Sequence, residues 1–317
     1  PFDPDTVAVV VRKAVDFHRL RQENRLLRKA VREQYQLDQL VGSSEPILQV
    51  MDFVRKVADS DSKVYLFGTI HMLPASSTWR TPALEQAVNS SQGLYVETIV
   101  DQAKPQALAA ELARLGLGQG LPPIAQRVAP DKRPLLEAAI AKSGVPRPFF
   151  DQMETWAAAF TLLGVQFKEL GLQGENGVES VLRRRFASAG KPVGQLETNS
   201  EQLGFFDTLP EDAQRALLEG SIDAPREMRV QFNAMIDSWL RGDVDAIART
   251  FNEDLAASPA LMDALIRRRN ANWSNWVHSR LAQPGKVLVA VGAGHLAGND
   301  SVVAMLKKRG LKVQRVQ

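Results

Sequence analysis

Apolar positions along this chain fall into two rhythms, and the change between them divides it. Over residues 7–36, Val10, Phe17, Leu20, Asn24, Leu27 and Val31 keep to helical spacing with one gap at Lys13, which predicts one long helix. In a heptad frame Phe17, Asn24 and Val31 take position a, and Leu20 and Leu27 take d. A lone Asn at an a position fixes register in parallel dimers. Residues 1–41 therefore read as a candidate coiled-coil arm, with homodimerisation through 7–36. An amphipathic helix packed on its own domain is the alternative. Val41-Gly42-Ser43-Ser44-Glu45-Pro46 breaks the helix. Ile47 to Val57 predicts a shorter helix with Ser44 as its N-cap, so 42–62 reads as linker and short helix.

From Lys63 the rhythm changes to short β-branched runs set among helices. Val64–Phe67, Gly93–Val96, Lys191–Leu196, Lys286–Val291 and a closing Lys312–Val316 predict strands. Pro82–Val88, a long middle from Pro105 to Phe186, residues 210–281 and Ser301–Lys308 predict helices. Gly116–Gly120, Pro122-Pro123 and Pro146–Pro148 punctuate the middle. Trp239, Trp273 and Trp276 are expected core or cleft-lining aromatics. Few strands among many helices predict an α/β or α+β domain over 63–317, with a small central mixed sheet. No repeat of solenoid length is visible.

Two strands lead into the same phrase. Gly68-Thr69-Ile70-His71 follows one, and Gly292-Ala293-Gly294-His295 follows another, in a chain with four histidines. Glu97 and Glu197 also emerge at strand ends, where ligands gather in α/β sheets. Two imidazoles and one or two carboxylates suit a divalent transition metal that keeps a position for water. Such a metal acidifies water and polarises a carbonyl, and a second carboxylate can act as general base. Gly68, Gly292 and Gly294 would let the backbone turn tightly or a substrate approach closely. A hydrogen-bonded structural histidine and a surface or capping glutamate are the competing readings.

Arg267-Arg268-Arg269-Asn270 precedes Trp273 on a predicted helix. One guanidinium turned inward could hold a carboxylate or an oxyanion, while the others form a solvated face. Arg183–Arg185, His18 and His278 are read as surface or packing residues. The net charge of +3 is too small to argue for nucleic acid. The absence of cysteine excludes disulfides, thiolate metal sites and cysteine nucleophiles. No stretch approaches the length of a membrane span, and no signal peptide is visible from Pro1 onward. Phosphate-loop, nucleophile-elbow and dinucleotide fingerprints are absent, which argues against those enzyme classes.

Residues from about Lys63 to Val316 resemble the TraB/GumN family, which includes the Tiki-type metalloproteases. The resemblance rests on Tyr65-Leu66-Phe67-Gly68-Thr69-Ile70-His71 with Leu73-Pro74, Trp79-Arg80-Thr81-Pro82-Ala83-Leu84 and Val96-Glu97-Thr98. It continues through Glu175-Asn176-Gly177-Val178-Glu179, Lys191-Pro192, Leu196-Glu197-Thr198, Glu201-Gln202-Leu203, Arg269-Asn270 with Trp273, and Val291-Gly292-Ala293-Gly294-His295-Leu296. The resemblance implies a fold like the ChaN and erythromycin-esterase proteins. It also implies an active centre of the paired G-x-x-H motifs, an acidic residue and an arginine. Protease activity is implied for the Tiki-type branch, and relatives are usually exported to the cell envelope.

Residues 1–62 are similar instead to the receiver-to-ATPase linker of NtrC-type transcription activators. Pro1-Phe2-Asp3-Pro4-Asp5, Leu20 to Leu27 and Leu40-Val41-Gly42-Ser43-Ser44 carry this likeness. Val57 to Ser62 suits either family. Where that likeness would continue into a phosphate loop, this chain has Gly68-Thr69-Ile70-His71.

The expected protein is thus a metal-dependent hydrolase acting on a peptide or small molecule. His71, Glu97 and His295 are the expected ligands of a Mn, Co, Zn or Fe ion. Glu197 is the expected general base or further ligand, Arg269 the electrophilic or anchoring cation, and Asn270 a further residue of the catalytic set. A non-catalytic peptide- or porphyrin-binding protein of the same fold is the alternative. A regulator remnant lacking ATPase function is a third reading.

Overall fold

The central strand explains the architecture. Val287-Leu288-Val289-Ala290-Val291 is apolar at every position, the pattern of a parallel strand buried on both faces. In the computed structural model, which describes residues 62–316 apart from 75–76, 101–104, 173, 223–224 and 257, these residues are all buried within β4 (Lys286–Gly292). The strand is flanked by β1 (Lys63–Thr69) and β2 (Gly93–Val96), and β2 by β3 (Val193–Gln195), giving the sheet order β1-β4-β2-β3. Each pairing is parallel.

The expected fifth strand over Lys312–Val316 does not form; the segment is irregular. Leu311 and Val313 pack against the sheet without joining its ladder. The candidate arm over 7–36, the helix Ile47–Val57 and His18 lie outside the described residues.

Alternation sorts the strand side chains onto two faces. Tyr65, Phe67, Leu94, Val96, Leu288 and Ala290 point to one face. There they meet α1 (Pro82–Ser90), α6 (Val178–Ser188), α9 (Pro225–Leu240) and α10 (Val244–Ala256) through residues such as Val88, Leu182, Phe186, Trp239 and Ile247. Val64, Leu66, Tyr95, Val289 and Val291 point to the other. They meet α12 (Arg268–Leu281) and α13 (Val302–Lys308) through Trp273, Val277, Val302 and Leu306.

A helical module between β2 and β3 has its own core of Ile124, Leu136, Ile140, Phe150, Ala159 and Leu162. It comprises α2 (Pro105–Gly116), α3 (Arg133–Ser143), α4 (Arg147–Gln152) and α5 (Thr155–Glu169). After β3, α7 (Asn199–Asp207) and α8 (Glu211–Gly220) follow, and α8 adds Leu218 to the module's core. The short α11 (Pro259–Met262) precedes a π-helical turn, Asp263–Arg267, which runs directly into α12. Among the described residues no helix is long and apolar enough to cross a membrane.

Candidate functional site

A parallel sheet ends all its strands on one edge. His71 follows β1 there, His295 follows β4, Glu97 follows β2 and Glu197 follows β3. The topology therefore brings together four residues that span more than two hundred positions of sequence. The register completes the meeting: Thr69 pairs with Gly292, so the two G-x-x-H phrases leave the sheet side by side. They also pack on each other, since a Cβ on Gly68 would lie 3.1 Å from the Cα of Ala293. Neither Gly68 nor Gly292 has a positive φ. Both are used for close approach, not for a left-handed turn.

Glu97 is the hub. It is the first residue beyond β2, and its Oε1 accepts the Gly292 N–H at 2.7 Å. Its Oε2 accepts Arg269 Nη2 at 2.6 Å and Gln202 Nε2 at 3.3 Å. Arg269 binds Glu197 as well, donating from Nε at 3.0 Å and from Nη2 at 2.5 Å to Oε1. Its Nη1 reaches Leu265 O at 3.4 Å and His295 Nε2 at 3.1 Å. The guanidinium also lies 4.7 Å over the Trp273 ring. Of the three consecutive arginines, Arg267 and Arg268 are exposed and pair with Asp300 and Asp263. Arg269 alone turns inward, in the first turn of α12 just beyond the π-helical turn, an irregularity that often marks functional sites.

His295 is buried and fixed on several sides. Asn270 Nδ2 donates to Asp300 O at 2.7 Å, which leaves Asn270 Oδ1 to accept His295 Nδ1–H at 2.7 Å. That network assigns the tautomer: Nδ1 carries the proton and Nε2 the lone pair. The ring rests on Trp273 with centroids 4.5 Å apart. His71 is held differently. Its Nδ1 donates to Glu179 Oε1 at 2.9 Å, its Nε2 lies 4.0 Å from Glu97 Oε1, and 62% of its side-chain surface is open.

These surroundings separate the two imidazoles electrostatically. Burial drives the His295 pKa down to about 3, so the ring is neutral at physiological pH. Burial also acts downward on His71, but Glu179 and then Glu97 outweigh it and raise its pKa to about 9.

Burial acts to raise the Glu97 pKa, and the facing positive groups reverse it to well below the usual carboxylate range. His295 is one of those groups only when itself protonated, below about pH 3. At neutral pH the anion rests on Arg269, His71 and the Gly292 N–H. Glu197 moves the other way, raised by burial and by Glu97 against the pull of Arg269. Burial would lower the Arg269 pKa, but Glu97 and Glu197 hold it above its ordinary value.

The donor set fits a divalent cation in its chemistry. Each imidazole is held at Nδ1 from behind, the second-shell arrangement typical of metal-binding histidine. The Nε2 atoms of His71 and His295 lie 4.0 and 3.9 Å from one oxygen of Glu97. Metal bonds of about 2.0–2.2 Å at tetrahedral angles span donors about 3.4 Å apart, so these side chains stand wider than a bound ion would hold them. Gly292 leaves the centre clear: a Cβ there would come within 3.2 Å of Glu97 Oε1 and 3.6 Å of His71 Nε2. Among the described residues no three such side chains stand at bonding geometry, and the Arg269 guanidinium fills part of the gap. A groove of about 340 Å³ reaches Glu197, Phe205, Arg268, Asn272 and Trp273. A cavity of about 430 Å³ in the helical module is apolar and remote from these groups.

A model of the TraB/PrgY/gumN family matches residues 53–315. The chain belongs to this family. Uncharacterized protein YbaP of Escherichia coli (strain K12) is 26% identical over 247 residues, covering 77% of this chain and 87% of the relative. Uncharacterized protein YbaP of Shigella flexneri matches to the same extent. No solved structure matches the chain. The TraB/PrgY/gumN match begins ten residues before the expected boundary at Lys63, within the stretch that also resembles the activator linker.

The structure brings His71, Glu97, Glu197, Arg269, Asn270 and His295 together. Two that the spacing gave no reason to choose are there as well. Glu179 stands behind His71, and Gln202 bridges the carboxylates, donating to Glu97 and to Glu197 Oε1 at 3.1 Å. Gln202 arrives on α7, whose start is fixed by a capping box between Thr198 and Glu201. Both residues lie in phrases that carry the family resemblance, and that was their only signal. His278 and Arg183–Arg185 stay outside the site, as expected.

Proposed function

We propose that this chain is a divalent-metal-dependent hydrolase of amide or ester bonds, with His71, His295 and Glu97 as the residues that hold the ion. One observation carries the reading: both imidazoles turn Nε2 toward the same oxygen of Glu97 while a separate acceptor holds each Nδ1. A bound divalent cation supplies Lewis-acid polarisation of a carbonyl and a water acidic enough to attack it.

The remaining work falls to the chain. His295 is neutral, and Asn270 aims its lone pair. His71 must give up its extra proton before it can act as a donor, so ion uptake releases protons. Glu197 has its pKa raised by burial against the pull of Arg269, and a carboxylate placed beside the reacting groups can serve as general base. Arg269 neutralises the paired carboxylates and keeps Glu97 ionised. It is also the fixed cation nearest to any charge that develops beside Glu197.

The test is a titration of the purified full chain with Mn²⁺, Co²⁺, Zn²⁺ or Fe²⁺, with hydrolysis followed on peptide and ester libraries. Binding of one ion, weakened in His71→Ala and His295→Ala, and ion-dependent hydrolysis are expected. If no ion binds and His71→Ala leaves hydrolysis unchanged, the reading is wrong. A second reading, ligand binding without turnover, draws on the Arg269 bond to His295 Nε2, which occupies the lone pair a metal would need. The same titration separates the two.

A further inference from the structure

The two histidines are held by unequal means. His295 is buried against Trp273, accepts from Arg269 and donates to Asn270. His71 sits at an open rim, and Glu179 is the acceptor that ties its ring to the protein.

The fold goes to some length to deliver that acceptor. Gly177, the N-cap of α6, presses on the His71 backbone so closely that a Cβ would stand 1.9 Å from the His71 carbonyl oxygen. Val178 N–H donates to Ile70 O at 3.1 Å. The first turn of α6 is therefore locked to the chain on both sides of the Ile70–His71 peptide. Glu179 follows in that turn, where the helix terminus favours a negative charge. Its Oε1 accepts hydrogen bonds from His71 Nδ1–H and from the hydroxyl of Thr69, a buried residue at the end of β1. One oxygen thus receives donors from both ends of the Thr69-Ile70-His71 segment.

We propose that Glu179 is the positioning residue of His71: with Thr69 it fixes which ring nitrogen faces Glu97 and holds the exposed ring in working orientation. The proposal rests on the reading that His71 serves the site. His295, which has several other contacts, does not depend on one partner in the same way.

The hydrogen bond itself can be observed in the full chain labelled with ¹⁵N-histidine. The His71 Nδ1–H proton, assigned by its loss in His71→Gln, is expected as a downfield, slowly exchanging signal. Glu179→Gln should retain it, because the amide oxygen still accepts. Glu179→Ala should lose it, while the His295 ring signal stays in place and reports that the fold is intact. Should Glu179→Ala not fold, Glu179→Asn, whose amide is one carbon too short to reach, carries the same comparison.

A His71 signal that survives in the folded Ala or Asn variant, or is absent from the wild type, overturns the proposal. A second arm uses Zn²⁺ alone in calorimetry. Loss of a second-shell partner typically weakens metal affinity by about 10–100-fold, and that is expected for Glu179→Ala, with Glu179→Gln close to wild type. Equal affinity in all three overturns the proposal. If the wild type binds no Zn²⁺ or other divalent ion, the hydrolase reading falls, and the ring signal alone decides the role of Glu179.

Discussion

Replacing Arg269 by Met tests whether the site is held together as described. Met keeps an apolar stem against Trp273 but removes the charge. The guanidinium is 8% exposed and the Glu97 and Glu197 side chains 6% each, so three charges share one dry volume. Without the cation, Glu97 keeps the Gly292 N–H and Gln202, and Glu197 keeps Gln202. Removing one partner of a buried ion pair costs about 3–5 kcal/mol, because the remaining charge is left uncompensated. The cost falls toward the lower end if Glu197 takes up a proton, which its raised pKa favours.

For a unit of this size, each kcal/mol lowers the melting temperature by about 2–4 °C, so a fall of roughly 6–20 °C is expected. Urea unfolding gives the free energy directly, and a double-mutant cycle with Glu197→Gln isolates the pair. A coupling of about 1–3 kcal/mol is expected, within the range for residues in one network. Arg269→Met within about 1 kcal/mol of wild type, or a cycle with no coupling, would refute the claim that Arg269 is the counter-ion of these carboxylates.

Three further outcomes follow. Gly292→Ala should fold, since its φ of −48° suits alanine, at an overpacking cost of about 1–3 kcal/mol. Its methyl, 3.2 Å from Glu97 Oε1 and 3.6 Å from His71 Nε2, should abolish Zn²⁺ uptake in calorimetry; unchanged affinity would place any ion elsewhere. Thr81→Ala removes the side-chain cap of α1 and should cost about 1 kcal/mol in urea unfolding. Glu85 has its pKa lowered chiefly by its hydrogen bond from Arg185. Its contribution is therefore present above the ordinary value of 4.5 and lost as pH falls through the lower folded value. Both side chains are about a third exposed, so Glu85→Gln should cost only about 0.2–1 kcal/mol at pH 7 and progressively less as pH falls below 4.5, as read from unfolding curves across that range.

Much of this was legible in the chain because parallel strands make chemistry colinear with hydropathy. A short, β-branched, fully apolar run such as Val287–Val291 reads as a strand covered on both faces, and in a parallel sheet the residues that follow it emerge at the ligand-binding edge. That logic picks out His71, Glu97, Glu197 and His295 without knowledge of strand order. It also explains why the closing segment misleads. Leu311 and Val313 alternate correctly, but the alternation serves packing beneath α12 and α13, and no strand edge receives them. Arg269 is one of three consecutive arginines, and only the family phrase Arg269-Asn270 singles it out in sequence; in the structure the buried carboxylates across from it distinguish it from the exposed Arg267 and Arg268.

Glu179 was illegible for a different reason. It belongs to a helix, and helical residues are read by which face they bury, whereas Glu179 acts from a terminus. What sets its position is a backbone contact, Gly177 against the His71 carbonyl, and no hydrophobic pattern encodes a contact between two main chains. The same contact accounts for the inequality of the two G-x-x-H motifs. They are alike in sequence, in strand and in register, yet one imidazole is backed by a carboxylate and carries charge, while the other is backed by an amide and is neutral. Repetition in the sequence supplied two matched arms. The partners behind them, recruited from α6 and α12, leave one ring charged beside a carboxylate and the other neutral, its Nε2 accepting from Arg269.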